Sequence, residues 1–283
     1  MQELLVKLLY LETQWRFPLG EFVESFEDWI TSIFYNQFRA ISVFLNIILD
    51  GINEALLVIP PLIFILAIFI IAWRLRGVSL GIFVVLSLLL MNNMGYWDQV
   101  ILTLAMVTTS VIISLSIGIP LGIISAHIPI IYKIIRPILD FMQTIPAYVY
   151  LLPAIVLFGL GTVPGIIATT IFAVPPPIRA TYLGITEVPR ERVEAGEAFG
   201  ASRWQMLKEI ELPSALGSII LGINQCIMMS LSMVVLAAMI GANGLGRSVW
   251  NSLNTLDTGG AVEAGLGIVF IAMILDRLLD ASN

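Results

Sequence analysis

Seven apolar runs, at 55–73, 77–91, 99–126, 137–160, 164–185, 214–240 and 262–279, dominate this 283-residue chain, with short polar stretches between them. Several exceed the ~18 residues that let a helix cross the hydrocarbon of a bilayer. Lipid offers the backbone no hydrogen-bond partner, so runs of this length must pair their own N–H and C=O groups as helices. The expectation is an all-α polytopic membrane protein of about seven transmembrane helices. The run at 77–91 is short and is expected to be tilted, extended or partly re-entrant. Composition points the same way: 58% of residues are hydrophobic and 12% charged, with a mean hydropathy of +0.96, where an ordinary soluble domain is about a quarter charged. Too little polar surface remains to cover a water-soluble globule.

Several functions are disfavoured on chemical grounds. The single cysteine, Cys226, lies inside an apolar run, which leaves no disulfide framework or cysteine metal site. His127 is the only histidine and reads as an interfacial helix terminator, because zinc needs several nitrogen or sulfur donors together. The formal charge of −6 opposes nucleic-acid binding, which relies on clustered Lys and Arg. No acid–base pair or nucleophile with a partner emerges, so no catalytic residue is assigned and no enzyme activity is expected. "GANGLGRS" at 241–248 mimics a phosphate-binding loop, but it follows a membrane helix rather than a strand and carries Arg247 where that loop needs Lys. It reads instead as part of an outer gate or as a contact for an external partner.

Residues 1–54 differ in kind. Glu3, Glu12, Glu21, Glu24, Glu27, Asp28, Asp50 and Glu54 stand against Lys7, Arg16 and Arg39, with aromatic and aliphatic residues between them. This pattern predicts an amphipathic helix lying along the membrane surface. It lacks a basic start and a small-residue cleavage site, so it is expected to stay on the mature protein. Placing Arg74 and Arg76 in the cytoplasm puts Lys133, Arg136, Arg179, Arg190, Arg192, Arg203, Lys208 and Arg277 there too, ten basic residues against the four of Lys7, Arg16, Arg39 and Arg247. That asymmetry fits the positive-inside bias and sets the N-terminus outside and the C-terminus inside. In the spans, "VPPPIRA" at 174–180 frees backbone carbonyls and is expected to face protein or a water-filled path. "GIPLG" at 118–122 has small-residue spacing for close helix packing. Arg136 and Asp140, four apart, are expected to pair on one helix.

The exception to this apolar character is "VPRERVEAGEAFGASRWQMLKEIELP" at 188–213. Pro189 suits a first helical turn, and Glu191 and Glu194 fall where a helix dipole favours them. Ala195, Ala198 and Phe199 share one side. Gly200 ends this helix, and Ser202 with Gln205 forms a capping box for a second, which Leu212-Pro213 is expected to stop. The product is a compact helical lever between two spans, which either docks a partner or lies on the membrane surface.

Glu194-Ala195-Gly196, Gly200, Ile210 and Leu212-Pro213, at that spacing, resemble the EAA signature of permease subunits of ABC importers, departing only at Gly196, where Ala is usual. "IIRPILDFMQTIPAYVYLLPAIVLFGLGTVPG", "LSMVVLAAMIGANGLGRSVW", "IPPLIFILAIFIIAWRLRG" and "GIVFIAMILDRL" are similar to the permease of glycine betaine/proline-type importers. The resemblance implies a type I ABC importer permease fold, divided as an external segment 1–54, two peripheral helices within 55–98 and a five-helix core in 99–283 carrying the coupling loop at about 186–213. It also implies a homodimer in the bacterial inner membrane with two copies of an ATPase subunit and an external substrate-binding protein. ATP and Mg would then sit on the ATPase and no cofactor on this chain. The lever's first helix would seat in the ATPase, and the transported solute would be glycine betaine, proline betaine or a related osmoprotectant, or else choline, proline or a sulfonium analogue.

Asn224, Gln225, Met229 and Ser232 lie along one run and either pack between helices or line a substrate path suited to a zwitterion. An ion-coupled secondary transporter would call for buried ionisable groups and inverted repeats. A receptor or scaffold would use the lever without moving solute.

Overall fold

Residues 18–279 are described by a computed structural model, and Glu3, Lys7, Glu12 and Arg16 of the N-terminal segment lie outside them. The described residues form helices α1 (Leu19–Leu57), α2 (Pro61–Arg76), α3 (Val78–Asn93), α4 (Trp97–His127) and α5 (Pro129–Thr144). A short turn at Ala147–Tyr150 leads into α6 (Leu151–Phe158), followed by α7 (Thr162–Ala173), α8 (Pro175–Thr186) and α9 (Arg190–Ala198). The chain ends in α10 (Leu212–Ala237), α11 (Leu245–Asn254) and α12 (Thr258–Leu279).

α4 is the axis of the bundle. Its 31 residues span about 46 Å at ~1.5 Å per residue, and Val100, Ile101, Ala105 and Met106 are wholly buried against residues such as Met91, Ile166 and Leu245. Lower down, the small-residue spacing acts as expected. A Cβ on Gly118 would sit 2.9 Å from Pro177 Cβ, and one on Gly122 would sit 2.6 Å from Thr181 Cβ. Backbone approach of this kind is what glycine permits and a larger residue forbids. The proline-rich start of α8 is thereby enclosed: Pro175, Pro176 and Pro177 are buried between α4 and α10.

Two ends of the bundle can be told apart by contacts. At the far end, Trp97 meets Phe64 edge to face at 5.6 Å, Gly161 donates to the Ile240 carbonyl at 2.9 Å, and Leu245 N–H donates to Thr103 Oγ1 at 2.9 Å. At the loop end lie His127, the end of α8 and the polar segment from Arg190 to Glu211.

α1 is one helix of 39 residues, distorted at Phe34, and it runs through residue 54 to Leu57. The expected boundary at 54 is therefore not a structural one. Its length and composition would allow it to cross a membrane, but its contacts show another course. Phe38 packs on Phe158 at the far end of α6, and Leu57 leads into α2, whose Phe64 packs on Trp97, also at the far end. Both ends of this ~28 Å stretch thus lie at the same end of the bundle, so the helix runs across it.

Three expectations are corrected. The run at 137–160 is not one continuous helix: α5 and the Ala147–Phe158 segment meet at 108°. Pro146 forces extended backbone on Ile145 (ψ 131°), which ends α5. Asp140 pairs not with Arg136 but with Arg179 of α8, where Tyr132 and Tyr182 stack at 3.4 Å to hold α5 over α8. The third is Leu212-Pro213, which does not stop the preceding helix: helical structure continues from Arg203 to Ile240.

Candidate functional site

The polar segment folds as the lever that its residues predict, with local differences. Pro189 is the residue before the helix (ψ 131°), and α9 begins at Arg190. Gly200 takes φ +74°, a conformation costly for a side chain with a Cβ. That corner lets Ala201 N–H donate to the Gly196 carbonyl at 3.0 Å and Gly200 N–H to the Glu197 carbonyl at 2.9 Å, closing the end of α9. The capping box forms as expected. Gln205 N–H donates to Ser202 Oγ at 3.4 Å, and Ser202 N–H donates to Gln205 Oε1 at 2.9 Å.

From Met206 to Glu211 the helix widens into a π turn before entering α10. Pro213 has no N–H to donate, and its ring crowds the carbonyl one turn back. A wider turn accommodates both, which is why the chain continues where a stop was expected.

The signature residues divide into a contact and a surface. Gly196 is the buried residue of α9; a Cβ there would sit 2.8 Å from Met206 Cε and closer still to Ile210 Cδ1. Gly196 and Ile210, fourteen residues apart, are therefore one contact that folds the lever back on its root. Leu212 packs with Ile185, Ala215 and Ile219. Arg192 Nη1 donates to Ser214 Oγ at 3.0 Å and ties α9 to the start of α10. Glu194, Ala195, Ala198 and Phe199 are exposed, Phe199 to 93%. Ala195, Phe199, Ile210 and Pro213 border an open cleft of about 580 Å³. An exposed aromatic ring beside small residues and an open cleft suits docking of a partner surface.

Sequence reasoning missed some residues here. Arg192, Ser214 and Met206 fix the lever's shape, and only spatial proximity reveals them. Trp204, 69% exposed at the start of the second helix, adds a second surface aromatic; an aromatic ring in an otherwise polar, capped segment was the available signal. His127 does end α4, but its Nε2 also lies 3.0 Å from Glu211 Oε2.

The four pathway candidates separate. Asn224 Nδ2 donates to the Leu279 carbonyl at 3.3 Å, and Met229 packs on the main core. Gln225 and Ser232 share an exposed stripe of α10 with Leu221 and Met228. The turn at 241–244 docks on α4: Gly241 and Gly244 take φ +93° and +100°, and a Cβ on Gly244 would sit 2.7 Å from Thr103 Oγ1.

Residues 118–283 match the family described as binding-protein-dependent transport system inner membrane component. The chain belongs to this family. It is thus the inner-membrane component of a binding-protein-dependent transport system. Among relatives of this permease, the glycine betaine transport system permease protein OpuAB of Bacillus subtilis is 46% identical over 263 residues, covering 93% of both chains. The glycine betaine/proline betaine transport system permease protein ProW of Escherichia coli is 46% identical over 264 residues, 93% of this chain and 75% of that one. The fold is similar to that of the MetNI methionine ABC transporter in an inward-facing conformation, with a TM-score of 0.56 and 22% identity, over 63% of this chain and 92% of that chain.

Proposed function

We propose that this permease is the membrane-spanning subunit of an ATP-driven importer for glycine betaine, proline betaine or similar osmoprotectants. The observation that carries the ATP-driven part is the lever. α9 presents an exposed face beside an open cleft, while Gly196 against Ile210 and Arg192 against Ser214 lock it to the root of α10. A partner that displaces α9 therefore displaces α8 and α10 with it. In this reading two ATPase subunits hold ATP and Mg, a homodimer of the permease spans the bacterial inner membrane, and ATPase closure rocks α8 and α10 so that a central path opens to alternate sides. The loop end is cytoplasmic, in accord with the ten-to-four distribution of basic residues. The far end, with α1 across it, is external and receives the binding protein.

The choice of solute is supported by the names of the relatives, which transport glycine betaine and proline betaine. Among the described residues the buried polar side chains are Ser and Thr, which favours an ATP-driven machine over one driven by ions through buried carboxylates. Gln225 and Ser232 line the path between the two permease copies and give a zwitterion polar, uncharged walls. The test is uptake into proteoliposomes holding the permease, its ATPase and its binding protein, with labelled glycine betaine, proline betaine, choline and proline. ATP-dependent accumulation of the betaines is expected. Accumulation of choline or proline alone overturns the substrate, and accumulation without ATP overturns the mechanism.

A further inference from the structure

The lever reaches α4 as well as the two helices it joins in sequence. Glu211 is the last residue of the π turn, and its side chain is only 12% exposed. Its Oε2 is buried, and His127 Nε2 approaches it at 3.0 Å. His127 Nδ1 lies 2.9 Å from the Ile123 carbonyl. Glu197 and Arg203 border the same cleft of about 340 Å³. Beneath it, Ile119, Ile123 and Ala126 of α4 and Leu207 and Leu212 of the lever's root pack against one shared cluster of Ile185, Ala215 and Ile219. α4 then runs unbroken to the far end, braced on either side of Pro120 by Gly118 on Pro177 and Gly122 on Thr181. There Thr103 Oγ1 holds Leu245 N–H of the glycine-rich turn.

We propose that His127 is a positioning residue: by holding Glu211 it delivers part of the lever's displacement to α4, and through α4 to the turn at 241–245. This rests on the ATP-driven reading above and extends it. The seats of Gly118 on Pro177 and Gly122 on Thr181 tie α4 to α8 part-way along its length. The His127–Glu211 contact adds a direct link from the lever to the end of α4. His127 is exposed, but Glu211 is largely buried, so losing the imidazole would leave the carboxylate oxygen without its polar neighbour.

The experiment measures ATP hydrolysis and solute uptake together in proteoliposomes containing permease, ATPase and binding protein, for the parent, His127→Gln, Glu211→Gln and His127→Lys. Hydrolysis within twofold of the parent and a fall of about fivefold in solute moved per ATP are expected for both Gln variants. His127→Lys, which sets a donor group against Glu211, is expected to restore coupling. A second readout is nucleotide-dependent labelling of Asn243→Cys in a Cys226→Ser background, which His127→Gln should abolish. The inference is overturned if both Gln variants keep solute per ATP within twofold of the parent. It is also overturned if uptake and hydrolysis fall together, or if both variants fail to assemble, because the contact is then merely structural. A parent complex without ATP-dependent uptake defeats the transport reading itself, and this inference with it.

Discussion

Phe199 stands at the tip of α9 with 93% of its surface exposed. An exposed ring contributes almost nothing to the fold it sits on, so Phe199→Ala should change the stability of the isolated permease by less than about 0.5 kcal/mol. If the ring is buried when the ATPase docks, truncation removes the transfer free energy of a phenyl side chain, about 2 kcal/mol. At about 1.4 kcal/mol per decade, that is a loss of about 30-fold in affinity. The assay is binding of purified ATPase to permease in nanodiscs, paired with a thermal melt of the permease alone. An affinity unchanged within about twofold would refute the placement of Phe199 in the interface. A lowered melting temperature would show instead that the ring supports the lever's own fold.

Gly200→Asn should keep uptake near the parent's, because Asn tolerates the left-handed backbone found there, whereas Gly200→Val should cost about 1–2 kcal/mol and uncouple uptake; equal behaviour of the two would refute a conformational role. Gly196→Ala should be tolerated, since the atoms it meets are the flexible ends of Ile210 and Met206, while Gly196→Leu should splay the lever and abolish ATPase binding. Gly122→Ala should lower the melting temperature of the isolated permease by the equivalent of about 1–3 kcal/mol, because its methyl would meet Thr181 Cβ and the Ile178 carbonyl, and backbone cannot swing aside.

What the sequence makes legible follows from how local the cause is. The run at 99–126 becomes Trp97–His127 because apolar length alone sets a buried helix. Gly200 and the Ser202–Gln205 box act within a few residues, so the lever's corner and second start are readable. The bend at Ile145–Pro146 was also local, but an apolar run masked it. Where competition between distant groups decides, pattern is insufficient. Asp140 had a candidate partner four residues away in Arg136, yet Arg179 takes it because α5 is laid over α8 by the tyrosine stack. Pro213 reads as a helix stop, and the π turn that carries the helix past it has no sequence signature of its own. The seven signature positions are readable as a spacing, but the reason for that spacing, Gly196 folded onto Ile210, is visible only in three dimensions.

The central claim is that a partner ATPase grips the lever from the loop end. Cross-linking from a single cysteine tests it most directly, with Ala198→Cys on α9 compared against Asn254→Cys at the end of α11, both in a Cys226→Ser background in the assembled transporter. Cross-links to the ATPase from Ala198→Cys, and none from Asn254→Cys, are the result this account predicts. Cross-links from Asn254→Cys alone would place the ATPase at the opposite end and contradict it.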